Sequence, residues 1–193
     1  MAMPTDVPII DCMIGFPMED KKATYEQMID TLIAFRDRAA ATPVHERFGV
    51  RRGEYGVVTL HRPSNVDDAT SLAAIVEGLL DLAARHPIVF PVHPRTRARL
   101  DDAGLSARLS AAGVLALPPL SYLDFLSLEA TAGAVVTDSG GVQEETSALG
   151  VPCLTYRTTT ERPVTVELGT NRLVGVRPSA LRLAWRGVLR RPM

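Results

Sequence analysis

An apolar run, Ala134 to Thr137, leads into Asp138-Ser139-Gly140-Gly141 and then into Val142-Gln143-Glu144-Glu145, a stretch with helical spacing. A strand that turns through two glycines into a helix is how a protein builds an anion site. Residues without Cβ let a phosphate approach the main chain, and the first-turn N–H groups of the helix lack intrahelical partners and point at it. The helix dipole adds to the attraction. Glu145 lies four residues beyond Gly141, one turn into the helix, where a carboxylate would repel a phosphate but accept hydrogen bonds from the two hydroxyls of a ribose. The string reads as a nucleotide site, with Ser139, Gly140 and Gly141 for the phosphates and Glu145 for the sugar. A strand-Gly-Gly-helix junction can also serve only to turn the chain, so the reading depends on its company.

That company is a series of short segments in fixed order: Thr59-Leu60-His61-Arg62-Pro63-Ser64-Asn65-Val66-Asp67, Pro91-Val92-His93-Pro94-Arg95-Thr96, Tyr122-Leu123-Asp124-Phe125, Thr160-Glu161-Arg162-Pro163 and Gly169-Thr170-Asn171-Arg172-Leu173-Val174-Gly175. His61 and His93 each follow an apolar run, Pro63-Ser64-Asn65 reads as a loop-forming cluster and the charged Thr160-Glu161-Arg162-Pro163 segment as a solvated surface loop, whereas His45 and His86 read as packing residues. Together with the Asp-Ser-Gly-Gly-Val-Gln-Glu-Glu run, the series closely resembles the C-terminal half of the non-hydrolysing UDP-N-acetylglucosamine 2-epimerases, over roughly residues 26 to 190. The chain departs from the family pattern where Ser64-Asn65 follows His61-Arg62-Pro63 in place of Glu-Asn, where Val164 stands for a glutamate, and where Glu26-Gln27 stands for Gly-Asn.

The resemblance implies a glycosyltransferase-B-like architecture of two Rossmann-type domains, of which this chain would hold the C-terminal one. It implies inversion at C2 of UDP-N-acetylglucosamine to give UDP-N-acetylmannosamine, through elimination of UDP to a 2-acetamidoglucal and re-addition, with neither cofactor nor metal. His61 would be the catalytic group of this half, an imidazolium offsetting charge on the departing UDP. Phe125 would lie beside the uracil, whose edge is read by main-chain groups. His93 would touch a second, activating UDP-N-acetylglucosamine, and Arg157, Glu161 and Arg162 would support the site. The carboxylates acting at C2 would come from the N-terminal domain of the family. Two alternatives stand beside this reading: a glycosyltransferase-B-type UDP-sugar transferase, separable by product analysis with and without acceptor, and a non-catalytic UDP-binding fragment.

The elements that must position these groups follow from periodicity. Tyr55 to Leu60, Ile88 to Val92, Val114 to Leu117, Ala134 to Thr137, Pro152 to Tyr156 and, more weakly, Arg172 to Val174 read as strands. Tyr25 to Ala41, Thr70 to Arg85, Thr96 to Asp102, Tyr122 to Ala132, Val142 to Leu149 and Ser179 to Arg190 have helical spacing. Continuous apolar strands joined by helices imply an α/β, doubly wound parallel sheet, Rossmann-like, covered on both faces. Ligands bind such sheets beyond the carboxyl ends of the strands, so His61, His93 and Ser139 should line one edge. The UDP-binding domain is expected over 25–193. Residues 1–24 do not fit the pattern; they look faintly like the opening strand of an amidohydrolase-type protein, without its metal-binding histidines, and no activity is assigned to them.

With 193 residues, 46% hydrophobic and 22% charged, the chain is that of an ordinary globular domain. A net charge of -1 gives no basic surplus for a phosphate backbone, so nucleic acid is not an expected partner. Cys12 and Cys153 stand far apart, without metal-ligand spacing. Reduced thiols in a cytoplasm are the simplest reading. No apolar run is long enough to cross a bilayer and no signal or anchor pattern is visible, so no membrane partner is expected. A homodimer is left open.

Overall fold

The computed structural model of the chain describes residues 25–188 other than 168, and the expected segment 1–24 lies outside the described residues. In chain order the elements are α1 (Tyr25–Ala40), α2 (Val44–Arg47), β1 (Gly56–Thr59), α3 (Pro63–Val66), α4 (Ala69–Ala83), β2 (Ile88–Pro91), α5 (Pro94–Asp102), α6 (Ser106–Ala111), β3 (Leu115–Leu117), α7 (Tyr122–Thr131), β4 (Ala134–Thr137), α8 (Gly140–Leu149), β5 (Cys153–Thr155), α9 (Pro163–Glu167), β6 (Asn171–Leu173) and α10 (Pro178–Val188). The six strands form one parallel sheet in the order β3-β2-β1-β4-β5-β6. All six expected strands are present, and so is the doubly wound α/β arrangement. Among the described residues no helix is long and apolar enough to cross a membrane.

Every residue of β1, β2 and β4 is buried, as their unbroken apolar runs require of strands covered on both faces. On one face Leu72, Ile75, Val76 and Leu79 of α4 pack with Leu181 and Trp185 of α10. On the other, Phe125 and Leu128 of α7 pack with Val142 of α8, Tyr55 and Val135. Helix α1 lies over α7 and α8, burying Leu32 and Ala39 against Leu126.

The departures are short helical turns. Pro63-Ser64-Asn65 was expected to form a loop, but Pro63–Val66 is a turn of helix with extended Arg62 before it and Pro63 in its first turn, where a fixed φ and a missing N–H cost nothing. The short helices α2, α6 and α9 are too brief for apolar periodicity to reveal.

Gly56 opens β1 because a larger residue does not fit. A Cβ built there would overlap the Trp185 ring, with Cζ2 at 2.8 Å and Ile88 Cδ1 at 3.1 Å. Trp185 is fully buried, and its Nε1–H donates to His86 Nδ1 at 3.2 Å. Burial, aided by Arg85, lowers the His86 pKa, so the neutral ring belongs to the fold. A depressed histidine pKa contributes stability that is present above the unfolded pKa, about 6.5, and is lost as pH falls.

Gly56→Ala is expected to destabilise the domain by about 1 to 3 kcal/mol through overpacking. The cost should shrink in a Trp185→Phe background, measured by circular dichroism in denaturant; equal costs in both backgrounds would show that the tryptophan is not the obstacle.

Candidate functional site

In the order β3-β2-β1-β4-β5-β6 the direction of winding reverses between β1 and β4, and a crevice opens there beyond the strand ends. The chain leaves β1 through His61 and β4 through Asp138. The Asp138 carboxylate is fully buried and ties the two exits together. It accepts the backbone N–H of His61 at 3.1 and 3.2 Å, that of Arg62 at 3.0 Å, and the Asn65 side-chain amide at 2.9 Å. His61 Nδ1 lies 3.2 Å from Asp138 Oδ1, placed for charge attraction but off the line of a hydrogen bond. Burial by itself would raise the Asp138 pKa; the His61 ring, the Asn65 amide and the Arg62 N–H outweigh it and hold the carboxyl below its ordinary value. Sequence reasoning quoted Asp138 within the motif and gave it no role.

His61 keeps one fifth of its side-chain surface exposed. Its ring centroid lies 5.6 Å from that of His93, which follows β2. His93 Nδ1 accepts the Arg95 N–H at 3.0 Å and so caps α5. The histidines singled out from sequence therefore stand side by side at the strand ends.

Ser139 precedes α8 in an extended conformation, φ -82° and ψ 136°, and its side chain makes no capping hydrogen bond. Its own N–H is satisfied by Thr137 Oγ1 at 3.0 Å. Nothing lies within 4 Å of a Cβ built at Gly140. The first turn of α8 thus faces open space with no side-chain cap in front of it, as an anion site requires. Gln143, one turn in, donates to Ser139 O at 2.9 Å and accepts from Thr160 Oγ1 at 2.6 Å and Asn171 Nδ2 at 3.1 Å. The segment after β5 is thereby pinned to α8, and it is not the freely solvated loop that its charges suggested.

Arg157, Glu161 and Arg162 are brought into this segment by ion pairing. Arg157 Nη1 and Nη2 meet Glu161 at 2.5 and 2.6 Å, and Arg62 Nη1 approaches the same carboxylate at 3.5 Å. The Arg157 guanidinium, first among the causes, lowers the Glu161 pKa to about 2. Arg162 Nε lies 2.5 Å from Glu144. Burial nevertheless raises the Glu144 pKa, against the pull of Arg162. A cavity of about 400 Å³ opens beside Arg62, Ser64, Asn65, Tyr156, Arg157 and Thr158.

Glu145 is partly exposed on α8. Burial pushes its pKa up to about 7, with Tyr122 opposing and Glu144 adding to the shift. Phe125 is 1% exposed in the core cluster under α7 and donates its N–H to Ser121 O at 2.9 Å. Its side chain has no face left for a base.

Asp138→Asn is expected to cost about 1 to 3 kcal/mol, because an amide NH₂ would confront N–H donors in a buried position. The lowered pKa of Asp138 means that its contribution is present above the unfolded value near 3.8 and is lost as pH falls. The variant should therefore show a flatter acid limb in thermal unfolding, and His61 ring resonances should move in NMR spectra; a parent-like acid limb would assign that limb to other groups.

The chain matches the family model described as UDP-N-acetylglucosamine 2-epimerase over residues 15–192, a match that begins within the first 24 residues. It is 47% identical over 125 residues to the UDP-N-acetylglucosamine 2-epimerase of Methanocaldococcus jannaschii, covering 63% of this chain and 34% of that protein. It is 42% identical over 120 residues to the UDP-2,3-diacetamido-2,3-dideoxy-D-glucuronate 2-epimerase of Pseudomonas aeruginosa, covering 62% and 32%. A crystal structure of the Methanocaldococcus jannaschii enzyme in complex with UDP-GlcNAc and UDP superposes with a TM-score of 0.76 at 37% identity, covering 86% of this chain and 47% of that one. The chain thus spans between a third and a half of the length of these relatives. Its sheet is the Rossmann-like unit of their glycosyltransferase-B-like fold.

Proposed function

Because this chain belongs to the UDP-N-acetylglucosamine 2-epimerase family, we propose that it is the UDP-binding half of an epimerase that interconverts UDP-N-acetylglucosamine and UDP-N-acetylmannosamine. The observation that carries the reading is the uncapped first turn of α8, open at Gly140, beside His61. The pyrophosphate sits on the Ser139, Gly140 and Gly141 main chain, and the ribose hydroxyls donate to Glu145. In the forward direction a base removes the C2 proton and the electron pair forms the C1–C2 double bond. The C1–O bond breaks toward UDP, leaving 2-acetamidoglucal. UDP then returns to C1 and a proton is delivered to the opposite face of C2.

This half acts on the leaving group. The helix terminus and an imidazolium at His61 stabilise the charge that gathers on the β-phosphate as the C1–O bond lengthens. Asp138, 3.2 Å from Nδ1, holds the ring in place. His93, beside His61, contacts an activating second UDP-sugar. The base and acid at C2 belong to a separate facing domain of the family. The product serves polysaccharide synthesis in the cytoplasm.

Gly140→Val leaves the fold intact, since nothing stands near the new side chain, yet it fills the space an oxygen must enter. UDP affinity is expected to fall at least about tenfold with uridine little changed, the loss of roughly one charge-assisted hydrogen bond. Calorimetry showing equal losses for both ligands would remove the phosphate assignment.

The chain incubated with UDP-N-acetylglucosamine in heavy water should leave C2 undeuterated by NMR, and addition of a family N-terminal domain should start exchange. Deuterium at C2 with this chain alone would place the C2 base among residues given other roles above.

A further inference from the structure

The first turn of α8 has no side-chain cap, and an uncapped turn is the part of a helix that frays first. A capping side chain would stop the fraying by taking the same N–H groups that an anion needs. Helix α8 is held from behind instead. Gln143, one turn in and fully buried, donates an Nε2–H to the carbonyl of Ser139 at 2.9 Å. That carbonyl, in the residue before the helix, already takes the first intrahelical bond, and Gln143 adds a second donor anchored in the core. The C=O and N–H of one trans peptide point in opposite directions. Fixing Ser139 O toward the helix therefore aims the Gly140 N–H away from it, beside the open space at Gly140.

The other end of the same amide is as firmly placed. Gln143 Oε1 accepts the Thr160 hydroxyl at 2.6 Å and one N–H of Asn171 Nδ2 at 3.1 Å. Asn171, buried on β6, gives Nδ2–H also to Thr165 Oγ1 at 2.9 Å and accepts the Thr155 hydroxyl at 2.7 Å. Thr165 donates in turn to Arg162 O at 2.7 Å, and Thr160 Oγ1 accepts the Arg162 N–H at 2.9 Å. Turning the Gln143 amide over would set its NH₂ against that of Asn171 and its oxygen against Ser139 O, so the network permits one orientation. Through that one side chain, the turn carrying Glu161 and Arg162 is joined to the peptide at the head of α8.

We propose that Gln143 is a positioning residue of the phosphate site, fixing the Ser139–Gly140 peptide so that the Gly140 N–H meets the anion and setting the Thr160–Arg162 turn against it. The inference rests on placing the phosphates at this helix terminus. Without the Gln143 amide, an anion must itself order the first turn, and its affinity drops by that cost. The effect is confined to the phosphate end of the ligand, because none of these bonds involves Glu145, to which the ribose is assigned.

The test compares UDP with uridine on the full chain by calorimetry. Gln143→Met fills the same volume and makes no hydrogen bond, so a packing role survives it. UDP affinity should fall about tenfold, the worth of one charge-assisted hydrogen bond, with uridine within about twofold of the parent. Thr160→Val breaks the link to the turn and leaves the bond to Ser139, for an expected loss of about threefold in UDP alone. The double variant should lose no more than Gln143→Met, because both changes break one chain of bonds. If Gly140→Val weakens UDP and uridine equally, the phosphate placement fails and the inference falls with it. If Gly140→Val weakens UDP selectively, three results make Gln143 a packing residue and overturn only this inference: Gln143→Met binds UDP like the parent, it loses both ligands alike, or its loss multiplies with that of Thr160→Val. Should Gln143→Met fail to fold, Thr160→Val decides by itself, a selective loss of UDP supporting the inference and parent-like UDP binding overturning it.

Discussion

The site depends on one buried carboxylate. Asp138 reaches from the end of β4 to the chain leaving β1 and gathers two main-chain N–H groups and the Asn65 amide, with the His61 ring alongside. A parallel sheet joins neighbouring strands along their length but leaves their exits free, and at the switch point the two exits head toward opposite faces. Without a tie, the loop carrying His61 and the turn into α8 would be positioned independently. A single ionised acceptor with several donors fixes both at once, and its desolvation is offset because the donors are supplied by the backbone it organises.

Much of this was legible in the sequence, for reasons that can be traced. Strand β4 was readable to the residue because a fully buried parallel strand is an unbroken apolar run ended by a polar residue. The pairing of His61 with His93 followed from topology, since both sit two residues past a strand end on adjacent strands. Pro63–Val66 was misread because proline marks a break in most contexts, whereas in the first turn of a helix it starts one. Phe125 was legible only as a helical position; its seat in the core under α7 depends on which face of that helix meets the sheet.

The roles of Asp138 and Gln143 were not legible, because each is defined by partners far away in sequence. Asp138 meets residues more than seventy positions upstream. Gln143 reaches Asn171 across 28 positions. Long-range hydrogen bonding leaves no periodic trace. The signal that could have found Asp138 was the departure at Ser64-Asn65: where the resemblance leads one to expect a glutamate beside the histidine, another carboxylate has to be sought, and the Asp-Ser-Gly-Gly run supplies it.

Helix α8 combines groups that a stable helix would keep apart. Its first turn is left uncapped, and the second turn carries two adjacent glutamates whose pKa values are both raised by burial. A raised carboxylate pKa has a definite sign in stability: the folded state prefers the protonated acid, so stability is lost as pH rises from the unfolded value near 4.5 through about 7 at Glu145. Near neutrality the free protein is held below its own optimum by these carboxyls. In the proposed reading, a bound phosphate would supply the missing cap and a bound ribose the missing donors, so the terms that weaken the empty domain would be the terms a ligand reverses. On that proposal, folding energy withheld in one helix, beside strands that are buried throughout, would reappear as binding energy.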